Sequence, residues 1–436
     1  MSLSSELTYN IFEYLNSSSN YAVLRNYEGL PLRNSSRDID ILIEKKEFYK
    51  IEKDLLTLII NAGFKITTLY KSEKILTYVC AKVSNGIVDL VQFDFFFNTS
   101  LFGVILLDSK KMLNSRIFNG EVYHVAKEYE FLDKYIQLKF LNKSYPKKYG
   151  VLRNEMEQSP LLEDILKEML DCDSIQELDA LGASKLKQQS IISNFKKQPL
   201  EQFKLFFYFW WFYFINMLAY KGFSIGFTGP DGSGKTTVID LIVLELSKTY
   251  SDIQLFHFRP TVTPNLGEAA HKIKLKTEVD QDYSKPHRGG KTGKLNSLIR
   301  LLYYSADYIL GYFLKVRRLL QRRSLVIFDR YYTDIIADGR RSRIFLIHQF
   351  LYWFGKLFIP KLDYNILLTA NKDVILARKQ ELDEAGINRI NENLNYLSNK
   401  NGYNLVLNEG IPSEAVQKIL NIIFEEQHNK NMKRIR

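Results

Sequence analysis

Residues 223–250 read FSIGFTGPDGSGKTTVIDLIVLELSKTY, and no other stretch restricts the possible folds so tightly. An apolar run of strand length leads into a loop with glycines at Gly229, Gly232 and Gly234, and a helical run follows at once. Glycines let successive backbone N–H groups turn inward around an anion, and the N-terminus of the next helix adds its positive end. The spacing of Gly229, Gly234, Lys235 and Thr236 lets a lysine reach the β- and γ-phosphates of a nucleotide while a hydroxyl meets Mg²⁺. The expected cofactor-binding set is Gly229, Gly232, Ser233, Gly234, Lys235, Thr236 and Thr237, with ATP and Mg²⁺ as ligands.

From Phe223 onward the chain alternates strand-like runs (FSIGFTG, IQLFHF, SLVIFDR, YNILLTA, YNLVLNE) with long helical patterns. That alternation is how a doubly wound parallel sheet reads. In SLVIFDRYYTD, four apolar residues end at Asp329, so its carboxylate should emerge at the C-terminal edge of the sheet beside the glycine loop. There it would hold Mg²⁺ through water or accept the proton of an attacking hydroxyl. Arg330 would neutralise charge on a phosphoryl group.

GPDGSGKTT together with DRYYTD resembles the thymidylate kinase family of nucleoside-monophosphate kinases, and the likeness continues from LLTANKDVILARKQ through YNLVLNEGIPSEAVQKIL. The resemblance covers about half the chain and implies a P-loop kinase fold for residues 221–436. It also implies roles. Arg378 would begin a mobile lid, Arg389 would lie over the transferred phosphate, and Asp231 would sit near the acceptor sugar. Arg259, in FRP, stands where the family grips the acceptor phosphate, and Arg340, Arg341 and Arg343 would help hold an anionic acceptor. The chain also departs from the family. IIADGRRSR replaces the segment that holds thymine, the lid pattern survives only as NRIN, and residues 1–220 have no counterpart. A different phosphate acceptor is therefore expected: a nucleotide, a sugar or a glycolipid.

Residues 1–125 carry a second constellation. RDIDILI places Asp38 and Asp40 on one face of a strand, and VQFDFFF offers Asp94 on a later one. Two carboxylates on one strand and a third on its neighbour can hold a divalent metal for phosphoryl chemistry. Asp89 competes as third ligand, but five residues from Asp94 it should face the other side of the strand. The pattern resembles the nucleotidyltransferase superfamily, except that Arg25 and Asn26 stand where that superfamily has Gly-Ser. The resemblance implies an α+β nucleotidyltransferase-like domain, either active or a relic that only binds. Fusion of such a domain to a thymidylate-kinase-like half is similar to bacterial proteins associated with surface-polysaccharide gene clusters, which makes a sugar or glycolipid acceptor plausible.

Between the two lies a helix-rich stretch, 126–220, expected to be a helical connector. It ends in an unusual run: Phe206 to Phe214 are all aromatic, within an apolar stretch of about sixteen residues. That is shorter than the roughly 20 residues a membrane span needs. Burial between domains is the first expectation and an in-plane membrane anchor the second. The formal charge of +11 is concentrated between Lys285 and Arg343, where fourteen Lys/Arg face four Asp/Glu, and such a field attracts phosphates or anionic lipid. No specific nucleic-acid partner is expected. Cys80 and Cys172 have no Cys or His at ligand spacing, which excludes a disulfide framework or zinc ribbon and suits a reducing compartment. No secretory signal is legible at the start. The expectation is a cytoplasmic enzyme, with the inner membrane face as a place of contact. Transfer of the ATP γ-phosphoryl is the leading reading. Nucleotidyl transfer by residues 1–125 and a non-catalytic, nucleotide-gated scaffold are the alternatives.

Overall fold

The computed structural model describes residues 3–146, 150–156, 159–218, 222–250, 252–262, 293–379 and 383–435. The chain divides into two compact units. One comprises Met1–Lys82, Asp89–Asn216 and Phe424–Arg436; the other comprises Val83–Val88 and Met217–Ile423. The helices read as a connector are grouped with the first unit as far as Asn216.

The first unit is built on a sheet of β1 (Tyr21–Val23), β2 (Asp38–Ile43), β3 (Lys65–Lys71), β4 (Ile75–Ser84), β5 (Ile87–Phe96), β6 (Ile117–Phe118) and β7 (Tyr123–His124). Their order is β3-β4-β5-β2-β1-β7-β6. Alternation along β2 decides where its carboxylates go. Ile39, Ile41 and Ile43 join a core with Leu7, Ile11 and Phe12 of helix Leu3–Ser18 and Phe48, Ile51 and Leu55 of helix Lys45–Asn61. Leu42 joins the opposite core, with Leu132 and Ile136 of helix Lys127–Phe140. A strand turns alternate side chains to opposite faces, so Asp38 and Asp40 share the Leu42 face.

In the second unit β8 (Ser224–Thr228), β9 (Ile253–His257), β10 (Leu325–Asp329), β11 (Tyr364–Thr369) and β12 (Tyr403–Leu407) form a sheet ordered β12-β11-β8-β10-β9, with every pairing parallel. β8, the first in sequence, lies at the centre and all five of its residues are buried, as a strand covered on both faces requires. After β10 the chain crosses to β11 on the other side of β8. A doubly wound sheet binds ligands where its strand order reverses, at the carboxyl ends of the strands.

Within the charge-rich stretch Lys285–Arg343 the chain forms helix Lys294–Gly311, a π turn at Tyr312–Val316 and helix Arg317–Gln321; residues 285–292 lie outside the described residues. One sequence expectation changes. The aromatic run lies in helix Pro199–Leu218, and it is not buried on all sides. Gln202, Leu205, Phe209 and Phe212 form one helical stripe that packs. Gln202 Nε2 donates to the Gly103 carbonyl, Phe209 meets Phe102 edge-on and Phe212 meets Tyr70. Phe206, Phe207, Tyr208, Trp210, Trp211, Tyr213 and Phe214 are exposed. Burial is the expectation because the run is aromatic throughout; among the described residues one stripe finds a partner, and the other faces stay exposed. No helix among the described residues is long and apolar enough to cross a membrane.

Candidate active site

The glycine loop follows β8 and ends where helix Lys235–Ser247 begins. Gly232 and Gly234 have φ of +85° and +83°, a backbone conformation that costs glycine little and other residues more. Gly229 is required for another reason. A Cβ there would lie 1.9 Å from the Leu368 carbonyl oxygen of β11. Gly229→Ala is therefore expected to cost about 1–3 kcal/mol or more, the usual range for overpacking. Gly293, where a Cβ would meet nothing within 4 Å, should tolerate alanine. Thermal unfolding of the two variants checks the contrast.

Lys235 is only 6% exposed, and its Nζ donates to the carbonyls of Gly229 and Pro230, each at 2.8 Å. Burial, with the nearby Arg330 guanidinium, pushes its ammonium down to about 7, against the opposing pull of Asp231, Asp334 and Asp329. A cation under that strain gains from an arriving phosphate. Thr236 and Thr237 are exposed in the first helical turn. Asn408, just after β12, donates from Nδ2 to the Ser233 carbonyl (2.8 Å), and Arg378 Nη1 donates to the Asn408 carbonyl (2.8 Å). Arg378 is thereby held beside Gly234. The sequence reading missed Asn408, because no local pattern marks a residue that meets the loop only through the fold.

Asp329 ends β10 and lies opposite Phe227 of β8 and His257 of β9. Burial alone would raise its carboxyl, but the His257 ring at 3.2 Å and the charges of Arg330 and Lys235 outweigh it and hold the group below the usual range. Its Oδ1 is buried with no partner among the described residues. An ionised carboxylate with a free oxygen, near a hydroxyl-bearing helix start, fits a hydrated Mg²⁺.

Arg330 links the loop to β10. Its Nη1 donates to Asp334 Oδ1 (2.7 Å) and more weakly to the Gly229 carbonyl (3.4 Å), and its Nη2 donates to Asp231 Oδ1 (2.5 Å). Arg341 takes the other Asp231 oxygen. Arg340 lies 3.7 Å from Asp383, and Arg343 caps the short helix Gly339–Ser342 in the left-handed region. Arg259 is buried, paired with Asp307 at 3.2 Å and stacked 4.5 Å over the Tyr304 ring. Arg389 is exposed on helix Glu384–Ser398 and makes none of these bonds. The structure thus brings together Lys235, Asp231, Asp329, Arg330, Arg341 and Arg378.

The N-terminal aspartates also meet. Asp40 and Asp94 are paired across β2 and β5, and Asp38, Asp40 and Asp94 offer carboxylate oxygens within 4.8 Å of one another. Burial raises the Asp40 carboxyl to about 6; Arg25 opposes the rise, and Asp38 and Asp94 add to it. Asp94 is raised too, chiefly by burial. Oδ1 of each has no partner among the described residues although Asp40 is 2% and Asp94 6% exposed. Asp89 instead accepts from the Ser4 backbone N–H at 3.0 Å. The sequence reading placed Arg25 nearby but did not foresee that its Nε would lie 2.6 Å from Asp40.

Residues 227–407 match the family model for thymidylate kinase. Similar solved structures include thymidylate kinase from Ehrlichia chaffeensis, 18% identical over 46% of this chain and 98% of that one, with a TM-score of 0.33. Thymidylate kinase from Candida albicans is 23% identical over 48% of this chain and 95% of that one, also with a TM-score of 0.33. No curated protein matches the sequence. The family match, together with the glycine loop at the end of β8, makes this part of the chain a P-loop phosphotransferase domain similar to thymidylate kinase.

Proposed function

We propose that the C-terminal domain transfers the γ-phosphoryl of ATP to an acceptor with an anionic or hydroxyl group, a nucleotide, sugar or glycolipid. One observation carries this reading: Lys235, Asp329 and Arg330 sit around a single glycine loop, with Arg330 bridging the loop to the strand that ends in Asp329. Phosphoryl transfer depends mainly on positioning and charge neutralisation, and these side chains supply both. The loop N–H groups and Lys235 would hold the phosphates, and Arg378 is poised beside Gly234 to add charge. Thr236 and Asp329 would hold Mg²⁺, which would neutralise charge on the bridging oxygens. Arg341 and Arg340 favour an anionic acceptor. The test is labelled-phosphate transfer from ATP against nucleoside monophosphates, sugars and lipid-linked glycans. Label in one acceptor class supports the kinase; tight ATP binding with no transfer, even to water, leaves the scaffold reading.

A second reading rests on the two partnerless oxygens of Asp40 and Asp94, which support a divalent-metal site of nucleotidyltransferase type in the N-terminal unit. A metal binds the ionised carboxylates, so protons compete with it. With Asp40 near 6, Mn²⁺ affinity at this site should fall steadily as pH drops from about 7 to 5, and Asp38→Asn with Asp40→Asn should remove it. Calorimetry across that range checks both.

The exposed aromatic faces of helix Pro199–Leu218 favour peripheral attachment to a membrane, since tryptophan and tyrosine settle at the headgroup level. Vesicles containing acidic lipid should sediment the protein, and Trp210→Ser with Trp211→Ser should weaken that binding severalfold. Equal recovery of both proteins would sink the idea.

A further inference from the structure

We propose that the acceptor of the C-terminal domain attacks through a hydroxyl oxygen, as on a sugar, and not through a phosphate oxygen. This deepens the kinase reading and rests on it.

An attacking phosphate brings negative charge to the reacting end of the acceptor, and guanidiniums with free donors are suited to receive it. Here the guanidiniums are already engaged. Arg259 Nη1 lies 3.2 Å from Asp307 Oδ2, and its guanidinium stacks 4.5 Å over the Tyr304 ring. Arg330 holds Asp231 and Asp334, and Arg341 takes the second oxygen of Asp231. Arg259, Arg330 and Arg341 thus face Asp307, Asp231 and Asp334, and the set is balanced before any acceptor arrives. To take a phosphate, Arg259 would have to leave Asp307, whose side chain is 0% exposed. A carboxylate stranded in that setting is costly.

The backbone around Arg259 also leaves it little freedom to turn. Asp307 Oδ1 accepts from the Val262 N–H (2.8 Å), and the Tyr308 hydroxyl donates to the Phe258 carbonyl (3.1 Å). Lys315 Nζ donates to the carbonyls of Pro260 and Thr261, each at 2.9 Å. A Cβ on Gly311 would lie 2.4 Å from Pro260 Cβ, so helix Lys294–Gly311 and this loop are in close contact. Residues on both sides of Arg259 are fastened to that helix and the turn after it, and its guanidinium meets the same helix through Asp307 and Tyr304. Arg259 therefore ties the loop after β9 to the helix, and its charge is spent there.

A hydroxyl suits what is left. It brings no charge, but it has a proton to lose. As its oxygen bonds to the γ-phosphorus, the bond from that phosphorus to the β–γ bridging oxygen breaks, and the electron pair leaves with ADP. The hydroxyl proton passes to Asp329, at the end of β10, whose Oδ1 has no partner among the described residues. A phosphate oxygen attacking as an anion would have no such proton to give. The Arg340 side chain is 39% exposed, and Arg341 Nε has no partner among the described residues. These two can hold an anionic group elsewhere on the acceptor, as on a sugar phosphate.

The experiment supplies the full chain with γ-labelled ATP and Mg²⁺, together with nucleosides, nucleoside monophosphates, sugars, sugar phosphates or lipid-linked glycans. ³¹P NMR then reads the linkage of the new phosphate. The expected product is a phosphomonoester, whose phosphorus shows no coupling to another. Nucleoside monophosphates should compete for the acceptor site no better than the matching nucleosides, within about twofold. A new phosphoanhydride overturns the proposal and leaves the kinase standing. Label in no acceptor overturns the kinase reading, and the proposal with it. Arg259→Gln should lower the melting temperature by about 5 °C or more, and adding Asp307→Asn should recover part of that loss. A glutamine variant that melts with the wild type yet needs about tenfold more acceptor would place Arg259 on the acceptor, and the proposal fails.

Discussion

Lys235→Ala is expected to reduce phosphoryl transfer by at least about 10²–10³-fold, the loss seen when one preorganised donor to a developing charge is removed. The fold should survive. Among the described residues the ammonium bonds only to carbonyls of its own loop, and burying it is unfavourable enough to bring its titration down to about 7. Deleting it removes that burden, so the melting temperature should stay level or rise slightly. The same depressed titration gives a sign for pH. Above about 7 the free enzyme increasingly holds a neutral amine, whereas bound polyphosphate favours the ammonium, so ATP binding takes up a proton. Wild-type ATP affinity should therefore decline as pH rises from about 7 to 9, and the decline should be absent in Lys235→Ala. Calorimetry in buffers of different ionisation enthalpy reads the proton uptake directly. A flat profile in the wild type would show that Lys235 remains charged without phosphate.

Much of this site was legible in the sequence because its parts are local. Strand, glycine loop and helix follow one another between Phe223 and Ser247, and each is fixed by near neighbours. The five strands of the second unit all appeared as apolar runs. So did Asp38 and Asp40, whose shared face follows from the two-residue period of a strand, and Asp94, which the parallel register brings opposite Asp40. What could not be read were contacts made across the fold between groups that no local pattern joins. Asn408 reaches Ser233 over 175 residues, and Arg25 turns onto Asp40 from a loop whose course no periodicity describes. The aromatic helix failed for a related reason. Hydrophobicity reports a preference for burial, while the number of faces actually covered depends on what the rest of the chain brings alongside.

Arg330→Met tests the other central member of the site, and its main effect should be on stability. The guanidinium is buried and holds two carboxylates at once, Asp231 and Asp334. Removing one partner of a buried ion pair leaves a charge in low dielectric and typically costs about 3–5 kcal/mol. The two carboxylates should not suffer equally. Asp231 keeps Arg341 on its other oxygen, whereas Asp334 is 1% exposed and its Oδ2 already lacks a partner. The loss should therefore concentrate at Asp334. Arg330→Met combined with Asp334→Leu should recover most of the stability without recovering phosphoryl transfer, because the guanidinium that bonds Asp231 Oδ1 and the Gly229 carbonyl is then gone. Arg330→Lys separates charge from geometry: one ammonium cannot serve Asp231, Asp334 and the Gly229 carbonyl together, so it should fold better than methionine yet remain well below wild-type activity. Calorimetric melting of the four proteins reads the stability pattern, and ATP turnover reads the chemistry. Equal melting of Arg330→Met and wild type would mean that Arg330 contributes charge to the reaction but does not hold the site together.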